Sequence, residues 1–255
     1  MCIKNRGVAL AYRLLAFIIG SIALIYDFGL FNGEFKRANL LYFTIISNLL
    51  CVIFFGLLVI KTVYDIKSEG IYGSTTFLTH IRGGILIAIL LTMSVYHFIL
   101  IPYALKINPY QSLKIVDIIF HYIIPVFTLF DWILFDEKGK FKWYDPLYWT
   151  IGPYVYLGFI FAQSGVENID RINAHISKYV YAFIDVELIG FYQVFMNIIS
   201  LTVVFIIIGY FIYWFDRIKI SEWLGLVIHL FVFRIELWKT FCLWINCLNQ
   251  LLKIT

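Results

Sequence analysis

Long apolar tracts separated by short charged links set the reading of this chain. Six such tracts run over residues 8–31, 38–60, 81–103, 113–135, 145–162 and 191–215. A helix of about 20 apolar residues spans the hydrocarbon core of a bilayer. The tracts do not alternate with the two-residue period of a barrel strand. The predicted fold class is therefore all-α, a polytopic membrane helix bundle of six transmembrane helices. The links 33–37, 61–69, 106–111 and 136–142 are short and carry much of the charge. The longest link, 163–190, is semi-polar and aromatic, with Tyr179, Tyr181, Phe183 and Asp185, and is expected along the membrane interface. Beyond the sixth tract the pattern changes. From Glu222 onward, most polar side chains fall on one arc at 100° per residue, as in an amphipathic helix lying on the membrane surface. A seventh span is the alternative for this tail. The predicted division is a six-span domain, 1–219, followed by a C-terminal amphipathic or interfacial helix, 220–255.

Composition agrees with the pattern. The chain has 255 residues, 62% hydrophobic and 20% aromatic, and only 14% are charged. A soluble domain averages about 25% charged residues. The net charge of +4 is too small for a nucleic-acid binder and is better read as topology. Lys4, Arg6, Arg13, Lys61, Lys67, Arg82, Lys138, Lys140, Lys142, Arg217 and Lys219 fall on one side of the predicted spans. Lys36, Arg37, Lys106, Lys114, Arg171 and Lys178 fall on the other. The richer side is expected to be cytoplasmic, which puts both termini there. The four cysteines, Cys2, Cys51, Cys242 and Cys247, form no CxxC pair, so no disulfide framework or thiolate metal site is expected. The first apolar tract reads as a retained span rather than a cleaved signal. The Ile-, Lys-, Asn- and Tyr-rich usage suggests a bacterial chain, and hence the cell membrane. Oligomeric state is not legible.

The candidate chemistry lies inside the membrane. His121 stands about a third of the way into the fourth tract. An ionisable side chain at that depth costs ~2.5 kcal/mol or more unless it faces a cavity or a partner. Spans alternate in direction, so Asp27, Thr44, His97 and His121 converge on one end. Asp27 lies about 6 Å from that end, Thr44 and His97 about 9 Å, and His121 about 12 Å. Pro125, four residues after His121, removes the helical partner of the His121 carbonyl and predicts a kink. Thr44, Ser47 and Asn48 share one helix face. A hydroxyl beside a neutral imidazole is a nucleophile–base pair. Ser47 or Asn48 is expected to donate to a developing oxyanion, and His97 or Asp27 to orient the base or relay its proton. At this depth the natural substrate is a fatty acid ester held in the lipid bilayer, and the chemistry needs no metal or organic cofactor. Tyr96 and Tyr122 read as packing or interface residues. Asp131 and Arg82 read as interfacial anchors at the opposite end, and Arg13 as a side chain able to snorkel to either side.

The tracts LLYFTIISNLL (40–50), IRGGILIAILLTMSVYHFIL (81–100), HYIIPVFTLFDWILF (121–135), DPLYWTIGPYVYLGF (145–159) and YVYAFIDV (179–186) come in a characteristic order. Over residues 8–219 the chain resembles the bacterial branch of the androgen-induced gene family of six-span membrane proteins. Their vertebrate relatives are intramembrane threonine hydrolases that cleave fatty acid esters of hydroxy fatty acids. The resemblance implies the same reaction class, with Thr44 as nucleophile and His121 as its histidine. The segment 179–186 departs from the family in having Val180 and Ala182 where prolines are expected. Two other readings compete. One is a transporter or non-catalytic scaffold, although no inverted repeat is visible. The other is a redox protein with one haem between His97 and His121.

Overall fold

The computed structural model describes residues 2–107, 114–164 and 178–218. Helix α1 is Arg6–Asp27 and α2 is Phe43–Glu69. Helix α3 begins as Thr79–Val95, passes through a π-helical segment, Tyr96–Leu100, and ends as Ile101–Ile107. Helix α4 has the same build, with Ile115–Ile118, a π segment Ile119–Ile123 and then Ile124–Phe135. Helix α5 is Ile151–Ser164, preceded by the single turn Asp145–Tyr148, and α6 is Phe191–Arg217. No sheet forms among the described residues, which contain one isolated antiparallel bridge, Asn5 to Tyr72.

Five of these helices, α1 to α4 and α6, are long and apolar enough to cross a membrane. The remaining tract is broken at Trp149–Thr150, and α5 has 14 residues. That gives about 21 Å of rise, short of a ~30 Å hydrocarbon core. The predicted helix 220–255 lies outside the described residues. Large apolar side chains such as Ile22, Ile53, Ile60, Phe98 and Phe211 are exposed, as expected of a face turned to lipid.

Helix α1 packs tightly along α2 because its inner seam is small. Ala9, Arg13, Ala16, Gly20 and Ala23 are buried at alternating spacings of four and three. A Cβ placed on Gly20 would meet Val52 at 2.5 Å, so only glycine allows this approach. Asn5 starts the helix, its Oδ1 accepting from the Val8 amide at 3.1 Å.

The end of the bundle remote from Thr44 holds a buried ion network. Arg13 Nε donates to Asp131 at 3.0 Å, and its other nitrogens reach Thr62 Oγ1 at 2.8 Å and Thr75 Oγ1 at 3.2 Å. Arg82 bonds both Asp131 and Asp136, the latter at 2.8 Å. All four charged side chains are at most 3% exposed, so none is the interfacial anchor or snorkelling group expected from sequence. Two cations and two anions neutralise one another, which is why the bundle tolerates them at that depth. Burial pushes the Asp136 carboxyl up to about 6, against the pull of Arg82. Lys138 lies over the Trp132 ring at 3.8 Å, and burial lowers it to about 8.

Candidate active site

Two π-helical segments frame the site, and a proline follows each. In α4 the Ile124 amide bonds the Ile119 carbonyl, which sets the π register. The Phe120 carbonyl would next take the amide of residue 125, but Pro125 has none. The orphaned carbonyl accepts instead from Asn48 Nδ2 of α2, at 3.2 Å. The kink expected at Pro125 is thus realised as a π segment with a side-chain partner. In α3 the Ile101 amide bonds the Tyr96 carbonyl and Pro102 follows. The two segments meet through reciprocal pairs. The Tyr96 ring stacks on His121, centroids 3.5 Å apart and planes 10° from parallel. The Tyr122 hydroxyl bonds His97 Nδ1 at 3.0 Å.

His121 is 6% exposed, and both its ring nitrogens have partners. Nδ1 lies 2.9 Å from the Asp117 carbonyl oxygen one turn back. A carbonyl only accepts, so Nδ1 carries the proton and Nε2 presents a lone pair. Nε2 faces the Thr44 hydroxyl at 3.3 Å. That separation is at the loose end for a nucleophile–base pair, as is common without substrate. The Tyr96 ring closes the face of the imidazole.

Thr44 is the second residue of α2. Ile45 and Ile46 amides bond the Tyr42 carbonyl, while those of Phe43 and Thr44 have no backbone partner among the described residues. These are donors that a helix start leaves without an intrahelical partner. The Tyr181 phenol stands against them. Burial raises its pKa, and the Thr44 side chain and the main chain of Thr44 and Phe43 lower it in opposition. Tyr181 follows Val180, which holds φ at +67°, a strained conformation for a β-branched residue. A partly open cavity of about 100 Å³ adjoins the pair, lined by Thr44, Thr92, Val95, Leu157, Tyr181 and Phe205 among others. Its walls are largely apolar.

No family model, curated protein or solved structure matches this chain. The reading of the site therefore rests on its own geometry.

Four of the residues singled out from sequence, Thr44, His121, Ser47 and Asn48, come together here, with Pro125 one turn below. Ser47 and Asn48 do not hold the oxyanion position expected of them. Asn48 Nδ2 is engaged by the Thr44 carbonyl at 2.8 Å and by Phe120. The Ser47 hydroxyl lies 2.8 Å from Thr92 Oγ1 and 3.1 Å from the Thr44 carbonyl. Both side chains satisfy buried partners, which in an apolar interior outweighs pointing into a cavity. Asp27 and His97 do not orient the base either. Asp27 accepts from Asn39 Nδ2 at 2.8 Å, and His97 is exposed beside Tyr122. The orienting group is the Asp117 carbonyl. With both nitrogens of His121 engaged by the protein, this geometry does not pair it with His97 as haem ligands.

Sequence reasoning missed Tyr96, Thr92 and Tyr181. The mirrored dipeptides Tyr96-His97 and His121-Tyr122, each ahead of a proline, were the available signal for the first. Nothing local pointed to Tyr181, which comes from a distant link.

Asn48→Leu tests the role found for that side chain. It would leave the Phe120 carbonyl buried without a donor, at a cost of about 1–3 kcal/mol. A lower thermal midpoint in detergent is expected, with kcat of the protein that remains folded close to wild type. A large loss of kcat at unchanged midpoint would return Asn48 to the oxyanion role.

Proposed function

We propose that this chain is an intramembrane carboxylic ester hydrolase using Thr44 as nucleophile and His121 as base on fatty acid esters. The observation that carries the reading is the 3.3 Å contact between the Thr44 hydroxyl and the unprotonated Nε2 of a histidine whose tautomer is fixed by a main-chain carbonyl. Thr44 Oγ attacks the ester carbonyl carbon while Nε2 takes its proton. The oxyanion of the tetrahedral intermediate takes the place of the Tyr181 phenol oxygen at the amides of Phe43 and Thr44, which then donate to it. The carbon–oxygen bond to the alcohol then breaks, and His121 returns the proton to the departing alkoxide. Water, deprotonated by the same nitrogen, attacks the acyl-threonine and releases the fatty acid. The apolar cavity beside Thr44 takes the first carbons of the acyl chain, the rest of which lies in the bilayer from which the substrate enters laterally.

The resemblance to the bacterial branch of the androgen-induced gene family accords with this reading and extends it to fatty acid esters of hydroxy fatty acids. The same proposal includes six spans, with α5 and its preceding turn as the fifth, and both termini in the cytoplasm of a bacterial cell.

The test is release of free fatty acid by purified protein in detergent, from a panel of lipid esters that includes branched fatty acid esters of hydroxy fatty acids. Turnover of any of them, together with mass-spectrometric detection of an acyl group on Thr44 after rapid quenching, is the expected result. Lack of turnover across the whole panel would leave a transporter or scaffold as the better reading.

A further inference from the structure

A second recess, of about 1050 Å³, opens between α2, α3 and the stretch from Lys142 to Phe159. It is far larger than the cavity beside Thr44 and is in the size range of pockets that bury most of a ligand. Its walls are Leu40, Ile46, Leu50, Ile85, Ala88 and Val155, with Ser47 facing into it. His80, Lys142, Tyr144 and Tyr148 stand at its other end.

The stretch of the recess from His80 to Ser47 matches one leaflet. Ser47 bonds Thr92 of α3. His80 and Thr92 are twelve positions apart on that helix, about 18 Å of rise, against ~15 Å for half of a hydrocarbon core. The part from His80 to Ser47 therefore reaches from the membrane surface to near the midplane, and the lining continues beyond it to Leu40. The surface end carries an exposed cation, Lys142, beside a His80–Asp145 pair. The Asp145 carboxylate is buried and already engaged by His80 Nδ1 at 2.7 Å and the Lys142 amide at 2.7 Å. The Lys142 ammonium is exposed beside the Tyr144 ring, and no carboxylate among the described residues is within ion-pairing distance of it. Aromatic side chains flank it, with Trp143 and Tyr148 exposed as in an interfacial belt.

We infer that this recess is the binding site of one anionic phospholipid from the leaflet on the Lys142 side, its headgroup at Lys142 and an acyl chain running toward Ser47. This lipid is not the substrate proposed above. Its ester bonds lie at the headgroup end, a leaflet's depth from Thr44. It instead fills the gap between the short, broken fifth tract and the α2–α3 pair.

Gly152 gives a clean probe. It lines the recess, and a Cβ there meets nothing within 4 Å, so Gly152→Phe fills the space without an initial clash. The protein would be equilibrated with vesicles of equal phosphatidylglycerol and phosphatidylcholine, extracted in mild detergent and weighed by native mass spectrometry. One retained phosphatidylglycerol per chain is expected. Lys142→Gln should reduce the preference over phosphatidylcholine about fivefold, the effect of one basic side chain at a membrane surface. Lys142→Arg should keep the preference, and Gly152→Phe should lose the lipid. Equal retention of both lipids, retention of neither, or a Gly152→Phe protein that holds lipid like wild type would overturn the proposal. So would a wild-type mass of two chains without lipid that Gly152→Phe reduces to one, since a second copy would then occupy the recess.

Discussion

His121→Ala is expected to lower kcat for ester hydrolysis by about 10²–10⁴, the contribution of a positioned general base. Thr44→Ala should lose at least as much, because no covalent path remains. KM should change little in either, since neither side chain is needed to hold an acyl chain in the apolar cavity. Thr44→Ser should keep measurable turnover, for it preserves the hydroxyl while removing only a methyl group. The rate should fall on acidification as the imidazole protonates, because a protonated Nε2 cannot accept the threonine proton. The Thr44 side chain meets His121 and the Tyr181 phenol, contacts that are small beside the packing of the bundle, so thermal midpoints near wild type are expected for the Thr44 variants. Wild-type turnover in Thr44→Ala would sink the assignment. If Ser47→Ala were then inactive, the nucleophile would lie one turn along the same face. The structure argues against that outcome, because the Ser47 hydroxyl is tied to Thr92 and faces the lipid recess rather than His121.

The matching height of Thr44 and His121 follows from depth alone. Two spans of opposite direction, measured from one end, bring these residues to within about 3 Å of each other in height. Which way each side chain turns is not a matter of depth. His97 lies at the right height, yet it falls one position past Tyr96, and that shift carries it from the helix interface to the exposed side. The π register adds to this, since one extra residue per turn rotates everything that follows it. Sequence indicates a kink from Pro125 but not that the kink becomes a π segment, because that depends on Asn48 reaching the freed carbonyl from another helix. Ser47 and Asn48 share Thr44's face as read from their spacing. Their polar atoms are engaged by the Thr44 carbonyl and by Thr92 and Phe120, 45 and 72 residues away in the chain. The span pattern holds wherever the apolar tract is long and continuous. It is ambiguous at 145–164, where Pro146, Trp149 and Pro153 punctuate a tract that is apolar enough throughout to read as one helix.

The charged residues of the other end lead to the largest stability effect. Read singly, Arg13, Arg82 and Asp131 each look like a side chain reaching for the membrane surface. Together they are a buried array in which one carboxylate, Asp131, serves two guanidiniums. Asp131→Asn removes the shared anion and leaves Arg13 and Arg82 with Asp136 alone. Breaking a buried pair in this way costs about 3–5 kcal/mol, because the remaining charge is uncompensated where water does not reach. A marked fall in thermal midpoint in detergent is expected, together with poor recovery of folded protein. The neutral double variant Arg13→Met with Asp131→Asn should be more stable than Asp131→Asn alone, since it leaves the Arg82–Asp136 pair balanced. Two mutations less harmful than one of them is an outcome that simple loss of packing does not produce. The folded fraction of each variant should keep wild-type kcat, because the network stands at the end of the bundle remote from Thr44 and His121. If Asp131→Asn matched wild type in stability, the array would be solvated and the sequence-level reading of Asp131 as an interfacial anchor would be restored.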